Sequence, residues 1–230
     1  MKYIKESLFY TNDVQVEWNS EHIKHLVNAS QLCGEKVFTI DFCTKSATKT
    51  DSYNQNKNHN FVSFQANYTA YFNEIPTAIN DENTQNIRHI NDVRNFLAFY
   101  GSNLDLLKNS NHDMVLIEPF LYGSSNLVNP IPLRAKKNKG KRLVLAYMSV
   151  SELREDLHYF SAAAPYQDEC APVDSEYGYI TQKFWMRGWH RILIENLEAI
   201  VTKGYDGVFF DRIDSYCDQS KRKNAPSCLA

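Results

Sequence analysis

The chain has 230 residues, a formal net charge of −2 and a pI near 6.4; 43% of its residues are hydrophobic and 23% charged. This is ordinary globular composition, suited to one α/β domain or two small ones, and it excludes a disordered polyelectrolyte and a globally basic nucleic-acid binder. No apolar run approaches the ~20 residues of a membrane-spanning helix, and residues 1–10 lack the apolar core of a signal peptide. No membrane span or export signal is therefore expected, and the compartment stays open.

In chain order, residues 3–10 read as a short strand. Residues 20–33 form the first clear helix, with Ser20 as its N-cap and Ile23, Leu26 and Val27 on one face. Gly34 stops it. Val37–Phe42 (VFTIDF) is a β-branched and aromatic strand ending in Asp41. A polar helix is expected around 51–58, then a strand over 61–66. The polar stretch 77–92 reads as a linker between a segment 1–76 and a segment 93–218. Beyond it come strands over 93–100, 114–120 and 142–149, separated by a short helix at 104–110 and a basic loop. The run Arg134–Arg142 (RAKKNKGKR) reads as a solvated loop, with a polyanion contact as the alternative. After an irregular loop over 156–180, residues 184–203 form an amphipathic helix. Trp185 and Trp189 lie four apart on it, the spacing of one packing face. Residues 219–230 read as a disordered tail.

Helices alternating with almost wholly apolar strands imply a parallel sheet buried on both faces. About seven strands are legible, where a closed (β/α)8 barrel has eight. The five cysteines (Cys33, Cys43, Cys170, Cys217 and Cys228) have neither zinc spacing nor a C-x-x-C pair, and Cys43 reads as core. With His158 as the one candidate exception, no histidine stands in ligand spacing to the acids, so no metal and no cofactor are expected.

Acids end or follow several strands: Glu6, Asp41, Glu118, Glu152 and Asp211, with Asp214 close behind the last. In a parallel barrel the strand C-termini share one face, so these acids would ring one cleft. Any one of them could instead be a helix cap, an ion-pair partner or a solvated loop residue. Asp211 is the sharpest case: Asp is a poor strand former, and a carboxylate is costly to bury unpaired. A ring of carboxylates suits glycoside hydrolysis, in which one acid protonates the leaving oxygen and a second attacks the anomeric carbon or activates water. Tyr147, at its strand end, is placed to hydrogen-bond a sugar or a carboxylate.

Six segments carry a family resemblance. KRLVLAYMSVSELRE (141–155), KFWMRGWHRILIENLEAIVTKGYDGVFFDRID (183–214) and RNFLAFYGSNLDLLKNSNHDMVLIEPF (94–120) resemble the first half of the endo-α-1,4-polygalactosaminidases, glycoside hydrolase family 114. KESLFY (5–10), VFTIDF (37–42) and FVSFQANYTAYFNEIP (61–76) resemble its second half. The chain departs from the family at Glu118-Pro119, where Asp-Tyr is usual, and at Ser151, where Gly is usual. The resemblance implies a TIM-barrel-like α/β fold with strands in the order 6-7-8 then 1-2-3-4. Such a chain is either a circular permutant or a piece of a tandem protein, and a swapped or completing partner chain could close the barrel. It further implies endo-cleavage of α-1,4-linked galactosamine-containing polysaccharide, with Asp211 and Glu6 as the catalytic pair and Asp41, Tyr147, Glu152, Asp214 and Glu118 lining the sugar subsites. Retention would place the catalytic carboxyls about 5–5.5 Å apart.

Overall fold

The computed structural model describes residues 3–17, 19–120, 124–168 and 178–215. The expected disordered tail at 219–230 lies outside them. The chain divides into a first unit, Met1–Ile117 with Pro132–Val144, and a second, Glu118–Ile131 with Leu145–Ala230.

The first unit runs β1 (Tyr3–Glu6), β2 (Tyr10–Thr11), β3 (Val14–Gln15), α1 (Ser20–Cys33), β4 (Val37–Phe42), α2 (Ser46–Asn58), β5 (Val62–Ala66), β6 (Phe96–Phe99) and β7 (Met114–Ile117). The single strand expected over 3–10 is split. Ser7 turns to φ +50° after β1, and β2 and β3 then pair as a hairpin across Asn12 and Asp13, both at positive φ. Asn and Asp tolerate the left-handed region that a two-residue hairpin turn needs. β1, β4 and β5 lie side by side in that order, all parallel, with Tyr3 opposite Val37 and Phe38 opposite Val62.

The first helix has the bounds its apolar spacing predicts, although Asn19 rather than Ser20 is its N-cap, and it ends on Gly34 at φ +64°, a left-handed cap suited to a residue without Cβ. Its Ile23, Leu26 and Val27 pack on a buried cluster of Leu8, Phe9, Tyr10, Val37, Cys43 and Phe61. Cys43 is core, as expected, and burial first, then Asp41, pushes its thiol up to about 12. α2 begins at Ser46, earlier than its composition suggests, and turns Ser52 and Asn56 inward. Along β4 every residue but Phe42 is buried, the pattern of a parallel strand covered on both faces. β6 and β7 pair in parallel, and Phe96 meets Phe38 edge-on at 5.4 Å between ring centroids.

The residues read as a linker are built into this unit. Asn83 donates both amide hydrogen bonds to Asp113, at 2.8 and 3.0 Å, and the Ile87 N–H donates to Lys141 O at 2.9 Å. The basic run also differs from the solvated loop expected of it. Lys136 and Arg142 are only 3% and 1% exposed. Lys136 Nζ lies 2.7 Å from Asp113 Oδ1, with neither side chain exposed. Arg142 donates to Ser110 Oγ and to the carbonyls of Leu107, Ser110 and Ala135. A buried carboxylate needs a counter-charge and full hydrogen bonding, and the run supplies the counter-charge from inside.

The second unit takes up β8 (Leu143–Ser149), whose first two residues belong to the first, then β9 (Glu152–Arg154), α3 (Phe160–Ala163), β10 (Tyr179–Thr181), α4 (Arg187–Lys203) and β11 (Gly207–Asp211). β11 runs parallel to β8, with Phe209 opposite Tyr147 and Asp211 opposite Ser149; β9 and β10 pair antiparallel. α4 ends on Gly204 at φ +94° and hands the chain to β11 within three residues. Trp189 is fully buried with Leu153, Ala163 and Ile192, whereas Trp185 is 51% exposed. The shared face expected for the two tryptophans is lost because the helix starts only at Arg187, leaving Trp185 outside its periodicity.

The fold is thus mixed α/β with parallel sheets. Seven strands take part in parallel pairs among the described residues, and no sheet there closes on itself. The incomplete, TIM-barrel-like order implied by the resemblance has the same seven strands, one fewer than the eight of a closed (β/α)8 barrel. No described helix is long and apolar enough to cross a membrane.

Candidate active site

The second unit gathers acids and their partners at the carboxyl ends of β8 and β11. Residues two apart on a strand share a face, and paired residues of parallel strands point the same way. Tyr147, Ser149, Phe209 and Asp211 therefore present one surface. On it the Tyr147 hydroxyl donates to Asp211 Oδ2 at 2.8 Å, and the rings of Tyr147 and Phe209 lie 6.2 Å apart. The other carboxylate oxygen, Oδ1, accepts the Arg212 N–H at 2.8 Å. Arg212 sits at φ +59°, a left-handed conformation uncommon outside Gly, Asn and Asp. The turn is held by the Val150 N–H donating to Asp211 O at 3.1 Å and by the Ser151 hydroxyl donating to Arg212 O at 3.0 Å. Asp211 is half-buried, with two described donors for its two oxygens.

Glu152 follows within the next strand. Its N–H donates to Ser149 Oγ at 3.1 Å, and its Oε1 lies 2.8 Å from Arg212 Nη2. Arg154, two residues on, reaches Glu118 Oε2 at 3.5 Å and Asp156 Oδ1 at 2.8 Å, and stands over the Tyr179 ring at 5.9 Å. Glu118 follows β7, and its side chain is 11% exposed. Burial raises its carboxyl to about 7; Arg154 and the Phe120 N–H oppose the shift but do not cancel it. A carboxyl in that range exchanges protons at neutral pH. The crevice between Glu118, Tyr147, Glu152, Arg154 and Tyr179 encloses about 20 Å³, room for one water and not for a sugar ring. Beyond the strand, Ile213 and Asp214 face solvent.

Tyr147, Glu152, Asp211, Glu118 and Asp214 all lie in the second unit, and the structure brings the first three into one hydrogen-bonded and ion-paired group with Arg212. Glu6 and Asp41 belong to the first unit. Glu6 ends β1 with an exposed side chain. Asp41 has no exposed surface: its Oδ1 accepts the N–H groups of Phe9 and Tyr10, and its Oδ2 accepts Ser52 Oγ and Asn56 Nδ2. Four donors fill a carboxylate's four lone-pair sites, so in this structure Asp41 ties the turn after β1 and α2 to the strand end. The arginines escaped the sequence reading. Arg212 directly follows Asp211 and Arg154 stands two residues after Glu152, and that adjacency of cation and acid was the available signal.

Residues 128–227 match the family model described as glycoside-hydrolase family GH114. An uncharacterized protein of Methanocaldococcus jannaschii is 25% identical over 144 residues, which cover 60% of this chain and 41% of that protein. Among solved structures, the glycoside hydrolase domain of PelA from Pseudomonas aeruginosa aligns at 22% identity and a TM-score of 0.39, over 56% of this chain and 47% of that one. A variant of the same domain aligns at 21% identity and a TM-score of 0.40 over the same shares. The chain thus spans less than half the length of each of these proteins. Over residues 128–227, the stretch that carries Tyr147, Glu152, Asp211 and Asp214, the chain has the sequence pattern of glycoside-hydrolase family GH114.

Proposed function

We propose that this protein is a glycoside hydrolase that cleaves α-1,4-linked galactosamine-containing polysaccharide internally, with retention. The observation that carries the reading is Asp211: a half-buried carboxylate at a parallel-strand end, oriented by Tyr147 and the Arg212 N–H, inside the stretch that matches the family. Asp211 is the nucleophile in this reading. Its two hydrogen bonds hold one carboxylate orientation, which lowers the entropic part of the barrier to attack on the anomeric carbon. Glu6 is the acid/base: it protonates the leaving oxygen and then accepts a proton from the water that hydrolyses the glycosyl ester. Tyr147, Glu152, Asp214 and Glu118 belong to the sugar subsites, and their carboxylates favour a cationic amino-sugar polymer; Asp41, fully buried with four donors, stays outside them. The strands would serve as most of a (β/α)8 frame, completed within the chain or by a second chain. No metal or cofactor enters the scheme.

The test is incubation with a partly deacetylated galactosamine polymer, read as shortening of the chains. Wild type should yield shorter oligomers, and Asp211→Asn and Glu6→Gln should not. Equal inertness of wild type and Asp211→Asn overturns the proposal. A second reading, a glycan-binding protein without turnover, draws on the Glu118-Pro119 departure and on the single-water crevice beside Tyr147. Saturable binding of the polymer without shortening would select it.

A further inference from the structure

We propose that Tyr179 and Arg154 are positioning residues for Asp211. A chain of hydrogen bonds runs from the Arg154 guanidinium through the hydroxyls of Tyr179 and Tyr147, and it fixes the donor that Tyr147 presents to the carboxylate. The inference rests on the reading of Asp211 as the nucleophile and adds two residues that the reading does not use. All four side chains belong to the second unit.

β9 and β10 bring the first pair together. Tyr179 stands directly opposite Arg154 in the antiparallel register, and residues so placed meet on one face. The guanidinium carbon lies 5.9 Å from the centre of the Tyr179 ring, and the two side chains share a hydrogen bond. Tyr179 is hydrogen-bonded in turn to Tyr147, whose hydroxyl donates to Asp211 Oδ2 at 2.8 Å. Asp156 holds Arg154 through both carboxylate oxygens, at 2.8 and 3.2 Å, and Glu118 Oε2 lies 3.5 Å from it. With two acids on it, the guanidinium has a fixed place beside Tyr179.

Valence fixes the direction of every bond. A guanidinium only donates, a carboxylate only accepts, and each phenol has one hydrogen. Tyr179 must therefore accept from Arg154. Tyr147 gives its single hydrogen to Asp211, so Tyr179 must donate to Tyr147. Tyr179 keeps that hydrogen at neutral pH, because burial raises its hydroxyl above the ordinary value and Tyr147 and Arg154 oppose the rise without cancelling it. The Tyr179 hydrogen occupies one side of the Tyr147 oxygen, so the Tyr147 hydrogen cannot turn there and stays on the carboxylate. Bonds in a chain also polarise one another, which makes the Tyr147 donor stronger than an isolated phenol. The crevice that Tyr179 and Arg154 share with Tyr147 has room for one water and not for a sugar, so their effect runs through Tyr147.

The experiment is a double-mutant cycle on the full chain with two readouts. The first is cleavage of the galactosamine polymer. Tyr179→Phe keeps the ring and removes only the hydroxyl, and it should lower kcat about threefold with KM unchanged. In a Tyr147→Phe background the same change should lower kcat by less than about 1.5-fold, because the link it acts through is gone. The second readout needs no turnover. It is the NMR signal of the hydroxyl-bearing ring carbon of Tyr147, in a chain isotopically labelled at that carbon of tyrosine and assigned by its loss in Tyr147→Phe. That signal should move in Tyr179→Phe. Arg154→Met should move the signals of both tyrosines, and the tyrosine cycle keeps the test decisive if that variant does not fold. Equal losses of kcat in the two backgrounds, or a Tyr147 signal that Tyr179→Phe leaves in place, overturn the proposal and leave the hydrolase reading standing. A Tyr147 signal that moves as expected in a chain that cleaves no polymer supports the chain of bonds and overturns the hydrolase reading instead.

Discussion

Asp41 and Asp211 stand at the same kind of place in the two units. Each lies at or next to the end of a parallel strand, each follows an apolar run, and each reads alike in one dimension. Asp41 is fully buried and takes four donors, two of them backbone N–H groups of the segment it organises. Asp211 is half-buried and takes two among the described residues, one of them a tyrosine hydroxyl. A carboxylate whose lone pairs are all used by its own protein fastens the fold, while one with spare capacity and solvent access can serve a ligand. The strand-end position is shared; the supply of donors separates the two.

The same substitution at both positions tests that distinction most directly. Asp211→Asn should lower polymer cleavage at least about a thousandfold in a chain-length assay while shifting the denaturation midpoint little. Asp41→Asn should do the reverse. It turns an acceptor into a donor facing Ser52 and Asn56, and it should cost about 3 kcal/mol in urea unfolding. Equal stability losses at the two positions would erase the contrast.

Glu118 extends the comparison to an acid that is buried yet incompletely satisfied. Its carboxyl is raised from 4.5 to about 7, chiefly by burial, so the folded chain holds a proton that the unfolded chain releases between those values. Its contribution to stability therefore falls as pH rises from about 4.5 to about 7 and stays low above that. Glu118→Gln should stabilise the chain by as much as about 3 kcal/mol at pH 8 and by much less near pH 4.5, measured as the pH dependence of unfolding. A pH-independent effect would deny the burial of the charge. The smallest expected effect is that of Tyr147→Phe. Loss of its bond to Asp211 should lower activity by about tenfold or less and stability by about 1 kcal/mol.

The helices and strands were legible wherever one period dominated. Ile23, Leu26 and Val27 marked a helix, and VFTIDF marked a strand buried on both faces, because burial of a regular element imposes its period on the sequence. Periodicity carries no information about a partner far along the chain. Arg134–Arg142 looks solvated by composition, yet Lys136 closes on Asp113 and Arg142 on Ser110, 23 and 32 residues earlier. The stretch 77–92 is polar enough to read as a linker, yet Asn83 bonds Asp113, 30 residues later. Trp185 fits a helical spacing that begins only two residues after it.

At the candidate site, the motif around Gly204–Asp214 located the strand and the carboxylate at its end by itself. Gly204 must end a helix in the left-handed region, and an Asp after Val208–Phe210 must lie at a strand end. Only the tertiary structure decided the rest: that Tyr147, 64 residues away, donates to Asp211; that Arg212 turns back on Glu152; and that Asp41 is sealed by its neighbours. The physical reason is that a residue's local conformational preference is set by its neighbours in the chain, whereas the donors, charges and water that reach its side chain are set by packing between segments far apart in sequence.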